Sequence, residues 1–172
     1  MSDSGQDEAE VQAEVKSEVS LTNPVHLLAF GFGSGLSPRA PGTMGTIVAV
    51  PLYLLMAAFL SPYVYLGLII VSFVIGIYLC GRTAKDLGVH DHGGIVWDEF
   101  VGYWITMFTV PLSWYGVLAG FILFRLFDIL KPFPIGWLDS KVEGGLGIML
   151  DDVLAGVYAA ICLQIIIQLI SR

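Results

Sequence analysis

Residues 84–100 read Ala-Lys-Asp-Leu-Gly-Val-His-Asp-His-Gly-Gly-Ile-Val-Trp-Asp-Glu-Phe, so His90, Asp91 and His92 stand just ahead of the adjacent acids Asp98 and Glu99. One acid at the head of an apolar run is explained as a helix N-cap, a position that favours Asp and faces the positive end of the helix. That reading covers one carboxylate and leaves the second acid and the nearby histidines to metal binding or acid–base catalysis. A second pair, Asp151-Asp152, heads the last apolar run and repeats the pattern. Two acid pairs entering from the same side can converge on one cation. Oxygen-only ligation with room for water and phosphate suits Mg²⁺. Without a cation, four gathered carboxylates repel one another and raise their own pKa values. Zinc fits less well, because His90 and His92 are two apart and no spaced histidine pair shares a helix face. The expected metal set is Asp98, Glu99, Asp151 and Asp152, with His90, Asp91, His92 and Asp98 as candidates for proton transfer and catalysis.

Cations able to meet a phosphate lie in two further stretches. The loop Gly31-Phe-Gly-Ser-Gly-Leu-Ser-Pro-Arg-Ala-Pro-Gly-Thr-Met-Gly45 combines five glycines, hydroxyls and one arginine. Its backbone amides could approach a phosphate, with Arg39 and Thr43 as side-chain ligands. It is no Walker A loop, because no Gly-Lys-Ser/Thr follows, and a tight connector needing glycine for packing is the competing reading. Arg125, Asp128 and Lys131 are spaced by three, which keeps them on one side of a helix end. Arg125 and Lys131 are candidate phosphate ligands, while an i,i+3 Arg125–Asp128 ion pair with snorkelling ends is the plainer alternative. The two cysteines, Cys80 and Cys162, both lie in apolar runs and read as small hydrophobes, with no thiol-phosphatase loop or zinc pattern around them.

The elements that must hold these side chains are hydrophobic. Of 172 residues, 56% are hydrophobic and 13% charged, and the net charge is −7. This excludes a disordered chain and a basic nucleic-acid binder. Six of the acids and one base, Lys16, fall in residues 1–20, which read as a solvated tail ahead of a membrane domain over 21–172. Apolar stretches cover 46–60, 63–80, 100–110, 114–124 and 153–170. Their lack of period-2 alternation and the need to satisfy backbone groups in lipid predict helices. The fold class is therefore all-α, a small polytopic helical membrane protein with hairpins over 46–80 and 100–130. That pairing puts loops 31–45, 81–99 and 131–152 on one side. They carry Arg39, Arg82, Lys85, Lys131 and Lys141, whereas the hairpin tips near Ser61-Pro62 and Pro111–Ser113 carry no Lys or Arg. By the positive-inside rule the motif loops face the cytoplasm. Ionisable groups gathered at such a depth default to a functional role.

Four motifs together resemble the phosphatidylglycerophosphatase A family: residues 31–45, Val89-His-Asp-His-Gly with Ile95-Val-Trp-Asp-Glu-Phe, Phe124-Arg-Leu-Phe-Asp with Lys131-Pro-x-Pro-Ile, and Gly147-Ile-Met-x-Asp-Asp. The resemblance spans about residues 21–170. It implies a Mg²⁺-dependent phosphatase of the bacterial cytoplasmic (inner) membrane that converts the phospholipid phosphatidylglycerophosphate to phosphatidylglycerol and phosphate. The haloacid-dehalogenase signature for a phospho-aspartate is missing, so attack by water is expected. A cation transporter or assembly subunit is the alternative; transporters place ligands near the bilayer midplane, whereas these acids cluster at the ends of the apolar runs. The sequence leaves the oligomeric state open.

Overall fold

A computed structural model describes residues 19–89 and 92–170. Seven helices follow in order among the described residues: α1 Pro24–Ala29, α2 Pro41–Phe59, α3 Pro62–Asp86, α4 Trp97–Met107, α5 Trp114–Leu130, α6 Ile135–Asp139 and α7 Gly144–Ile170. A 3₁₀ segment, Gly31–Leu36, joins α1 to the loop before α2. Prolines open α1, α2 and α3, where a missing amide costs nothing, and Asn23 caps α1 by accepting the Val25 amide. Helices α2, α3 and α7, of 19, 25 and 27 residues, are long and apolar enough to cross a membrane. Their outward faces carry Leu55, Val71, Val74, Ile75, Ile161 and Ile165, all exposed, as lipid contact requires.

The long helices surround α4. It packs chiefly on α7 and α2, then on α3 and α5, and nine of its eleven residues are buried. Polar tips in this core find protein partners: the Trp104 indole donates to the Ala49 carbonyl at 3.2 Å, and the Tyr65 hydroxyl to the Trp104 carbonyl at 3.0 Å. In lipid no water would replace them.

Two departures from the sequence-based expectation bear on the site. The run 100–110 makes only the 11-residue α4, about 16 Å long. The second expected hairpin is therefore an enclosed short helix followed by the 17-residue α5. The last helix starts at Gly144 and not at Val153, so Asp151 and Asp152 lie inside it rather than capping it. Asp98 is likewise not an N-cap, since Val96 holds that position and Asp98 and Glu99 occupy the first turn of α4. The glycines of 144–147 read as a loop in the sequence, yet the helix begins there, and Gly145 is needed because α7 passes close to α3. A Cβ on Gly145 would strike the Ile77 carbonyl of α3, and one on Gly156 the Gly102 carbonyl of α4.

Candidate active site

The starts of α2, α4 and α7 and the ends of α3 and α5 meet at one end of the bundle, as contacts among Gly42, Glu99, Arg125, Gly145, Gly81, Lys131 and Asp151 show. Five carboxylates gather there. Asp98, Glu99 and Asp152 each offer an oxygen within 4.8 Å of the others, and so do Asp128, Asp151 and Asp152. The two triads share Asp152. Counting from the start of α7, Asp151 lies about 10 Å along the helix, whereas Asp98 and Glu99 stand in the first turn of α4 and Asp128 in the last turn of α5.

Asp128 completes the second triad, whereas its spacing in the sequence marks it only as an ion-pair partner. That pair exists as well, with Arg125 Nη1 2.6 Å from Asp128 Oδ2. An i,i+3 spacing signals the pair, but a third acid from another helix becomes visible only when α5 and α7 are packed together. Arg125 also reaches Glu99 Oε1 at 3.6 Å, and its guanidinium and that carboxylate both lie against Gly42 in the first turn of α2. A Cβ on Gly42 would collide with Glu99 Oε1, so glycine lets the α2 backbone close on the acids. This ties the glycine-rich loop to the carboxylate cluster.

The candidate phosphate ligands divide. Arg125 stands within the cluster. Lys131, in left-handed conformation at the end of α5, donates to Asp151 Oδ2 at 2.7 Å and lies 3.0 Å from Asp139 Oδ2. Burial alone would lower its pKa, but these two carboxylates hold the ammonium above its ordinary range. Arg39 is exposed just before α2, and Thr43 is half-buried in that helix's first turn. His92 accepts the Gly94 amide at Nδ1, 3.0 Å away, and packs on Phe30. His90 and Asp91 lie outside the described residues. Of the cysteines, Cys80 is buried beside Met149 and Cys162 is half-buried; neither forms a disulfide among the described residues.

Among the described residues, the buried oxygens Glu99 Oε2, Asp151 Oδ1 and Asp152 Oδ2 have no hydrogen-bond partner. Such atoms are costly to bury and rare unless something else satisfies them. Burial first, then the charges of Asp152 and Asp128, push the Glu99 carboxyl well above the usual carboxylate range, against a hydrogen bond with Asp98 and the Arg125 charge. Five acids against two bases leave a formal excess of negative charge in a confined space. An all-oxygen donor set of this kind fits Mg²⁺ and matches neither a thiolate nor an imidazole site.

The phosphatidylglycerophosphatase A family model matches residues 27–167. The chain is 55% identical to phosphatidylglycerophosphatase A of Escherichia coli over 84% of each chain. It is 54% identical to the Haemophilus influenzae protein of that name, over 84% of this chain and 89% of the relative. A Bacteroides thetaiotaomicron protein provisionally named a phosphatidylinositol-3-phosphatase is 39% identical over 81% of this chain and 91% of its own. No solved structure matches.

Proposed function

The chain belongs to the phosphatidylglycerophosphatase A family, and from that premise we propose that it removes the terminal phosphate of phosphatidylglycerophosphate with Mg²⁺ held by its five clustered acids. The carrying observation is the pair of carboxylate triads joined at Asp152, whose unpartnered buried oxygens ask for cations. Asp98, Glu99 and Asp152 would hold one ion, and Asp128, Asp151 and Asp152 a second. Charge supports two. With Asp139, which shares Lys131, six ionised acids against Arg125 and Lys131 leave the cluster at −4; one divalent ion leaves it at −2, and two make it neutral, so that a phosphomonoester is no longer repelled. When bound, Mg²⁺ supplies charge neutralisation at the phosphoryl oxygens and acidifies water.

The residues then divide the work. A water oxygen attacks phosphorus, the bond from phosphorus to the glycerol oxygen breaks, and that oxygen takes up a proton to give phosphatidylglycerol and inorganic phosphate. Arg125 orients Asp128 and Glu99 and offers its guanidinium to the phosphoryl oxygens, whose charge spreads in the transition state. Lys131 locks Asp151 in place. Arg39 and Thr43 flank the start of α2 and would draw the incoming phosphate toward Gly42. His90, Asp91 and His92 are the proposed proton source for the leaving oxygen. The site faces the cytoplasm in the inner membrane, since Arg39, Arg82, Lys85, Lys131 and Lys141 all belong to the site end of the bundle.

The test is phosphate release from phosphatidylglycerophosphate by detergent-purified protein with Mg²⁺, beside phosphatidylinositol 3-phosphate, with and without chelator. Release from the first lipid that stops on chelation and returns with Mg²⁺ is expected. Release undiminished by chelator would overturn the metal assignment, and preference for the inositol lipid would overturn the substrate.

A further inference from the structure

Between α2 and α5, which touch only sparsely, lies an open apolar groove of about 690 Å³, within the range of built ligand pockets. Ile47, Val50 and Leu54 line it from α2, and Val117, Leu118 and Phe121 from α5. Each wall points at the site. Leu54, Val50 and Ile47 are spaced four and three apart, and the next step along that face is Thr43. Val117 and Phe121 are four apart, and the next step is Arg125. The α5 wall therefore leads, one turn on, to Arg125 beside Glu99 and Asp128, and the α2 wall to Thr43, next in sequence to Gly42.

We propose that this groove is the acyl-chain subsite, seating a hydrocarbon chain of the phospholipid substrate while the headgroup phosphate reaches the acids. The inference rests on the substrate reading above and adds where the lipid lies. A second apolar groove, of about 520 Å³ between α5 and α7, serves as an internal contrast. Both grooves reach the far end of the bundle at Ser113, but the α7 wall of the second stops at Leu163, eleven residues or about 16 Å short of Asp152, whereas the first reaches Phe121, one turn from Arg125. Nearness to the carboxylates, and not mere greasiness, distinguishes the first groove.

The experiment uses three full-length variants. Ile47→Trp and Leu118→Trp fill the first groove from exposed positions on opposite walls, and Ile166→Trp fills the second. Retention of phosphatidylglycerophosphate on delipidated protein is read by native mass spectrometry in chelator. Turnover is read separately, in Mg²⁺, on the lipid and on its water-soluble deacylated headgroup. The first two variants should lose lipid retention at least about tenfold and raise KM for the lipid similarly, while kcat/KM on the deacylated headgroup stays within about twofold. Ile166→Trp should change none of these. Equal lipid retention by wild type and both groove variants, or equal damage from Ile166→Trp, would overturn the subsite. Because retention is measured without hydrolysis, it judges the groove even if the turnover arm counts against the phosphatase reading.

Discussion

Asp152 holds the pivotal place among the acids because it alone belongs to both triads. The two-ion arrangement makes an asymmetric forecast. By equilibrium dialysis with Mn²⁺ as probe, Asp98→Asn and Asp128→Asn should each retain one ion where the wild type retains two, and Asp152→Asn should retain neither at the same concentration. Phosphate release should fall at least about 100-fold in all three, with the helical circular-dichroism spectrum unchanged. Asp7→Asn, in the tail, should match wild type. One residual ion in Asp152→Asn would break the sharing. Asp98, Glu99, Asp151 and Asp152 are visible in the sequence as doublets, since no ordinary cap or surface pairing needs two adjacent acids at the head of an apolar run. Asp128 is hidden there because its spacing from Arg125 already has a sufficient local explanation. Which cations serve phosphate is also beyond one-dimensional reading: Lys131 is taken up by Asp151 and Asp139, a commitment fixed only by the packing of α6 and α7 beneath it.

At the scale of the helix, apolar runs report the type of element well and its ends poorly. Lipid demands that a spanning backbone satisfy itself, so runs 46–60, 63–80 and 153–170 could hardly be anything but helical. Glycine obscures the start of α7, because a residue that breaks helices in water is what lets two helices touch in a membrane. Gly156 supplies the test. A Cβ there would overlap the Gly102 carbonyl across the α4–α7 contact that carries both acid pairs. Gly156→Ala should cost about 1–3 kcal/mol by overpacking and lower the melting temperature in detergent together with activity. Gly67, inside α3, faces open space, with no atom within 4 Å of where a Cβ would stand, so Gly67→Ala should gain roughly 0.5–1 kcal/mol and leave turnover alone. A melting point raised by Gly156→Ala would mean that the close crossing is not what holds the acids together.

For the molecule as a whole, the positive-inside assignment forecasts a labelling pattern. In a Cys162→Ser background that keeps buried Cys80, a cysteine at Ser61 should react with a membrane-impermeant maleimide in intact cells, and one at Ser140 should react only after the inner membrane is opened. The reverse pattern would put the acids on the outer face. The depth of α4 then takes on meaning. Segment 92–96 descends until Ile95 and Val96 are enclosed, with the Val96 amide held by the Ala29 carbonyl at 2.8 Å, and only there does α4 begin. On the proposed reading the reaction is thus set where protein encloses it, so the ester must bring its phosphate in among the helices while its tails stay in the leaflet. Once the bond is cut, the two halves part by solubility: the lipid alcohol drifts sideways among its neighbours, and the freed anion climbs out to water, leaving an emptied site with neither fragment inclined to return.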